Sequence, residues 1–189
     1  MKLIRTNLAG LTIIEPDVFT DDRGFFMEIH HQRRYRTCNI DVVYVQDNLS
    51  FSRKGTIRGL HYQVRHPQAK LIQVITGEIF DVAVDIRPGS STFGKWEGIY
   101  LSTHNNRQLF ISEGFAHGFC VVSETAHCLY KCTDFYIPED EGGILWCDPD
   151  IGINWPVVDP IISEKDKAFP CLAGVLPEKL PSIEKMLKK

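Results

Sequence analysis

Between Leu11 and Tyr136, short runs of alternating apolar and polar residues are broken at close intervals by turn-forming residues. That spacing is the pattern of an all-β sandwich or barrel. The clearest hairpin pattern runs from Lys70–Ile75 through a Thr76-Gly77 turn into Glu78–Ile86. In the second arm Phe80, Val82, Val84 and Ile86 alternate with Asp81, Ala83 and Asp85, the period of a half-buried strand. Arg87–Ser91, which contains Pro88 and Gly89, closes this arm as a loop. Further strands are expected at Leu11–Ile14, Val42–Gln46, Thr56–Tyr62, Gly98–Leu101, Gln108–Ile111, Phe119–Val122 and His127–Tyr136. Helical pattern is confined to Phe26–Arg36 and to the end of the chain, where Ser163 heads Glu164-Lys165-Asp166 as the cap of a short helix. One domain is expected over residues 1–189, with about 173–189 as a C-terminal tail whose last part, Pro181–Lys189, is charged and mobile.

At 43% hydrophobic and 24% charged residues, the chain can bury a core without staples. Its formal net charge of −3 argues against a general nucleic-acid binder, which carries a basic face. Cys38, Cys120, Cys128, Cys132, Cys147 and Cys171 form no CxxC pair, so free thiols in a reducing cytoplasm are expected. The first residues lack the apolar stretch of a signal peptide, and no run is long enough to span a bilayer. No membrane partner is expected.

Several clusters carry residue types that do chemistry. Arg58-Gly59-Leu60-His61-Tyr62-Gln63 is followed closely by His66 and Lys70. A strand histidine alone is more often a structural hydrogen-bonding group; cations and aromatics with little acid nearby favour a functional one. Strict alternation puts Arg58 and His61 on opposite faces, so both enter one pocket only if the strand bulges, which Gly59 permits. In Glu113–Phe119 the glycines flanking His117 suggest a tight turn, either presenting the imidazole or holding it incidentally. Tyr130 and Tyr136 share strand parity, about 20 Å apart if the strand is extended. Arg23-Gly24-Phe25-Phe26 and Gln46-Asp47-Asn48 set polar groups beside aromatics, and Ser163–Asp166 adds a cation and a carboxylate. Charged residues of this kind normally sit on a solvated surface.

Asp22–Phe26, Val45–Asn48, Ile57–Gln63, Lys70-Leu71, Gly77–Asp85, Glu113–Phe119, Tyr130-Lys131, Gly152–Pro156 and Ser163–Asp166 occur in the order found in dTDP-4-dehydrorhamnose 3,5-epimerases. From the first strand to about Cys171 the chain resembles that family. The resemblance implies a cupin-type jelly roll with a few short helices at the periphery and C-terminus, working as a homodimer without metal or other cofactor. It implies a dTDP-sugar substrate, dTDP-4-dehydro-6-deoxy-glucose, inverted at C3 and C5 on the route to dTDP-L-rhamnose for cell-surface polysaccharide. On the same resemblance His61 is the base, Asp166 the carboxylate that orients it, Tyr130 the proton donor and Lys70 the cation beside the keto oxygen. His117 contacts the sugar, Arg23 and Arg58 the pyrophosphate, and Glu28, Gln46, Asp47 and Asn48 belong to the nucleotide pocket. Tyr136 stacks on thymine, with Glu141 and Lys165 as further binding positions. Two residues depart from the family pattern: Ser112 stands where proline often precedes the Glu-Gly turn, and Phe135 where a second tyrosine can occur.

Metal-binding cupins use an HxH pair followed by Glu. Here the stretch reads His61-Tyr62-Gln63, with no acid before Gly77, and the second motif survives only as Gly114–His117. Two histidines fall short of the three or four ligands a stable site wants. The chemistry implied by the resemblance suits the residues instead. Both carbons flank the C4 ketone, so deprotonation gives an enolate that a fixed cation stabilises. A histidine titrates near working pH, a carboxylate fixes its tautomer, and inversion needs the new proton from the opposite face. Three rivals are a single-carbon epimerase, a metal-dependent cupin and a non-enzymatic sugar-binding cupin.

Overall fold

The computed structural model describes residues 1–181, so the expected tail beyond Pro181 lies outside the described residues. The chain opens with β1 (Lys2–Arg5), β2 (Leu11–Glu15) and the hairpin of β3 (Val18–Asp21) and β4 (Gly24–Met27), followed by α1 (Gln32–Thr37). Next come β5 (Gln46–Arg53), β6 (Ile57–Gln63), β7 (Lys70–Thr76), β8 (Glu78–Asp85) and β9 (Trp96–Ser102). The strands β10 (Gln108–Ile111), β11 (Phe115–Val121), β12 (Thr125–Cys132) and β13 (Glu141–Gly143) precede the short helix α2 (Glu164–Lys167). They form a six-stranded sheet ordered β1-β2-β10-β7-β12-β5 and a five-stranded sheet ordered β13-β6-β11-β8-β9, all antiparallel, with the β3–β4 hairpin apart. The result is a cupin-like jelly-roll sandwich.

The arms of the clearest expected hairpin do not pair. β7 lies between β10 and β12 in one sheet, and β8 lies between β11 and β9 in the other. Gly77 is the corner between sheets, at φ +82°, where a side chain would collide with the Thr125 carbonyl. Nor is β8 half-buried. Ala83 joins Ile72, Leu109 and Phe119 in the core between the sheets. Phe80, Val82, Val84 and Ile86 face outward, yet Ile144, Ile151, Leu172 and Leu180 of the C-terminal segment cover them. Each such aliphatic side chain removed from water contributes about 1.5–3 kcal/mol, so this strap is part of the core.

Other boundaries move for local reasons. The strand expected at Val42–Gln46 begins only at Gln46, because Val42 and Tyr44 pack against Tyr35 of α1 and Leu71. The helical pattern of Phe26–Arg36 resolves into the end of β4 and α1. His117 lies within β11, and the turn sits earlier, at Gly114, φ +90°. The strand expected through Tyr136 ends at Cys132, leaving Tyr136 in a loop.

Candidate active site

A cavity of about 300 Å³ is walled by β6 and β11 of the five-stranded sheet and by β5, β7 and β12 of the six-stranded sheet. His61 projects from β6, opposite His117 on β11 and Gly143 on β13. Between Arg58 and His61 the register shifts by one residue against Phe119 and His117, which is the bulge that lets both side chains line the cavity. Gly59 is there for close approach. A Cβ on it would lie 2.6 Å from Gly118 Cα and 2.8 Å from the His117 carbonyl oxygen.

The bulge frees the Gly59 N–H from the ladder, and Asp166 takes it. Asp166 Oδ2 accepts from Gly59 N at 3.1 Å, and Oδ1 bonds His61 Nε2 at 2.8 Å. The strap brings this carboxylate across more than a hundred residues. Ile161 exchanges backbone bonds with Gly55 and Ile57 at the start of β6, and Ser163 then caps α2 by accepting from Asp166 N at 3.1 Å. Burial opposes ionisation of Asp166, but the bonds from His61, Gly59 and Ser163 outweigh it and hold the carboxyl below its ordinary value. An ionised carboxylate only accepts, so the proton of neutral His61 sits on Nε2 and Nδ1 is left with the lone pair. The Phe169 ring packs edge-on against the imidazole, with centroids 5.7 Å apart.

A second pair stands beside the first. His117 Nε2 lies 3.0 Å from both oxygens of Asp81, which projects from β8, buried at every position after Glu78. Burial lowers the His117 pKa against the pull of Asp81, and Lys70 and His61 lower it further. Sequence reasoning missed Asp81. The signal was an acid alternating with core residues in a strand that turned out to be buried on both faces.

The opposite wall carries Tyr130 and Lys70. Tyr130 lies between Asn48 and Ile72 of the flanking strands, and Lys70 pairs across to Cys132. Burial pushes the Tyr130 phenol up to about 12, partly offset by Arg58. Burial also lowers the Lys70 pKa, with Cys132, Asp81 and Glu141 opposing the shift. At the mouth, Glu141 Oε2 accepts from the Tyr136 hydroxyl at 3.0 Å and from Lys165 Nζ at 2.9 Å. Arg58 Nε donates to Ser52 Oγ at 2.9 Å. Gln46 Nε2 donates to Asn48 Oδ1 at 2.9 Å.

Thus His61, Lys70, His117, Tyr130, Arg58, Gln46, Asn48, Tyr136, Glu141 and Lys165 line one cavity, with Asp166 directly behind His61. Three expected residues lie elsewhere. Asp47 falls on the other face of β5 and pairs with Lys131 at 2.8 Å. Arg23 pairs with Asp21 on the β3–β4 hairpin, and Glu28 with Arg34 of α1. Ser50, two residues beyond Asn48 on the same strand face, is a lining residue that parity alone would have added. Among the described residues no group of three or more His, Cys, Asp or Glu is placed to hold a metal ion. Among them, too, no helix is long and apolar enough to cross a membrane.

The family model for dTDP-4-dehydrorhamnose 3,5-epimerase matches residues 5–174. A dTDP-4-dehydrorhamnose 3,5-epimerase of Methanothermobacter thermautotrophicus is 53% identical over 169 residues, covering 88% of this chain and 91% of the relative. The crystal structure of a dTDP-6-deoxy-D-glucose-3,5-epimerase from Legionella pneumophila, in complex with dTDP-4-keto-L-rhamnose, is 49% identical. It superposes with a TM-score of 0.93 over 96% of this chain and 97% of that one. A 3'-monoepimerase from Streptomyces bikiniensis in complex with dTDP-quinovose is 31% identical, with a TM-score of 0.90 over 97% and 94% of the two chains. The fold, the family match and the identity across most of the sequence agree: this chain belongs to the dTDP-4-dehydrorhamnose 3,5-epimerase family of isomerases.

Proposed function

We propose that this chain inverts C3 and C5 of dTDP-4-dehydro-6-deoxy-D-glucose, giving dTDP-4-dehydro-L-rhamnose, with His61 as base and Tyr130 as acid. One observation carries the reading: a carboxylate-backed imidazole and a half-buried phenol stand on the two different sheets that wall one cavity. A sugar ring held between them meets a base on one side and a proton donor on the other, as inversion requires. His61 Nδ1 takes the proton, and Asp166 stabilises the imidazolium that forms. Charge then gathers on the keto oxygen, where the Lys70 ammonium meets it. His117 contacts the sugar. Arg58 offers its fork to the pyrophosphate, and Tyr136 offers a ring face to thymine, with Gln46, Asn48, Glu141 and Lys165 around it.

The reading includes a homodimer in the cytoplasm, to which six free thiols are suited. The β3–β4 hairpin exposes Phe19, Phe25 and Phe26, and the edge strand β5 exposes Leu49 and Phe51 on its outer face. A second copy covering these surfaces removes both an apolar patch and an open edge. Arg23 and Glu28, outside their own chain's cavity, then contact substrate held in the partner's. Sedimentation should give the mass of two chains; a monomer at working concentration ends that part of the reading.

The test of the reaction is incubation of the keto sugar nucleotide in D₂O with chelator-treated protein. Deuterium is expected at both C3 and C5 of the product. Label at one carbon would assign a single-carbon epimerase, and activity only after added metal would remove the metal-free reading.

A further inference from the structure

We infer that Gln63 is a positioning residue that sets the pose of Tyr136 and, through it, the affinity for the nucleobase; this rests on the stacking role proposed for Tyr136. Gln63 ends β6 and is 4% exposed, and a buried amide is tolerated when its polar atoms are bonded. Its Nε2 donates to the His66 carbonyl at 2.7 Å and to the Phe135 carbonyl at 3.1 Å. Its Oε1 accepts from the Ile137 N–H at 2.7 Å. The Ile137 amide can only donate, so the orientation of the Gln63 amide is settled and both its N–H groups are committed. Two of the three bonds straddle Tyr136. The Tyr136 N–H itself donates to Gln46 Oε1 at 2.9 Å, so side chains hold three successive residues that no strand ladder holds.

Neighbouring bonds join the segment after β6, residues 64–69, and the segment after β12, residues 133–140, into one body. Gln68 Nε2 donates to the Asp134 carbonyl at 2.8 Å, and Asp140 accepts from the N–H groups of Arg65 and His66 at 2.9 and 2.8 Å. Beside the pairing of β13 with β6, the Gln63 side chain ties this body to the β6 segment carrying His61. Tyr136 remains 46% exposed at the cavity mouth, so its ring is fixed but open to a flat partner. Ordering that loop before binding removes an entropic cost that the nucleotide would otherwise meet.

The experiment measures dTDP affinity by calorimetry, together with kcat and KM, for Gln63→Glu and Gln63→Met with and without Tyr136→Ala. Gln63→Glu keeps the acceptor for Ile137 and loses both donors; Gln63→Met loses all three bonds. Thermal melting identifies which variants remain folded, and Gln63→Glu carries the test if the other does not. Expected are a rise of roughly tenfold in KM and in the Kd for dTDP, the scale of a lost base–aromatic stack, with kcat within about twofold. In the Tyr136→Ala background the same substitution adds little, because both act on one contact. Binding of inorganic pyrophosphate, which has no base, is unchanged. A full additional loss in the Tyr136→Ala background, a parallel loss of pyrophosphate binding, or a fall in kcat at constant KM overturns the inference. Unchanged dTDP affinity in Tyr136→Ala overturns the stacking role itself, whereas loss there with none in the Gln63 variants overturns only the part given to Gln63.

Discussion

The two walls of the cavity differ in what stands behind their titratable groups, although burial also lowers the pKa of His117 on the first wall. On the five-stranded wall each histidine is backed by a carboxylate, His61 by Asp166 and His117 by Asp81. On the six-stranded wall burial dominates: it raises the Tyr130 phenol to about 12 and lowers the Lys70 amine. Positive charge formed on His61 meets an anion already in place. Charge on the second wall is unfavourable until an anion arrives, so in the proposed reaction Lys70 gains most when an enolate develops beside it. The half-buried phenol meanwhile keeps its proton throughout the neutral range, and Arg58 eases its loss. On the proposed mechanism the His61 side is settled by hydrogen bonds made during folding, and the Tyr130–Lys70 side is completed by the reaction.

The harshest way to break this contrast is to remove His61, the base proposed for the first wall. His61→Ala should cut deuterium exchange at both C3 and C5 by about 10⁴-fold, the upper range for a positioned base. Exchange at wild-type rate at either carbon would assign that carbon another base. Next, Lys70→Met should lower kcat by about 10²–10³-fold, because it removes charge stabilisation made chiefly in the transition state. A rise confined to KM would make Lys70 a substrate anchor instead. Tyr130→Phe should cost about 10²-fold in product formation while leaving exchange into recovered substrate measurable, since His61 still deprotonates and returns deuterium to the same face. Equal loss of exchange and inversion would show that the phenol is needed before the enolate forms.

The same contrast explains what could be read in advance. Period-two alternation and frequent turns disclosed the all-β class, because both are local properties. Gly59 disclosed the bulge, since parity alone separates Arg58 from His61. The Thr76-Gly77 turn misled because a hairpin and a corner between sheets look alike in sequence; the difference lies in Thr125 crowding Gly77. The half-buried reading of β8 failed because its cover, Ile144 to Leu180, is distant in the chain. No spacing rule joins Asp166 to His61, and the family resemblance supplied that pairing. Asp47 was separable from Gln46 and Asn48 by parity, as its bond to Lys131 on the outer face illustrates.

The subtlest consequence is that the walls should show their stability effects at opposite ends of the pH range. Asp166 is held below its ordinary value of 3.8, so its ionised form favours the fold. That contribution is complete above pH 3.8 and is lost as pH falls through the lower folded value. Lys70 is held below its ordinary value of 10.5, so its charged form disfavours the fold, and the penalty is relieved as pH rises from the folded value towards 10.5. Asp166→Asn should therefore lower Tm by a few degrees at pH 7, with the gap to wild type closing below pH 3.8. Lys70→Met should raise Tm by a similar amount at pH 7 despite its lost activity, with that gap closing in alkali. Melting curves of the three proteins across pH read both effects. If Lys70→Met melts below wild type at pH 7, the ammonium is already well partnered in the free protein, and the two walls are alike.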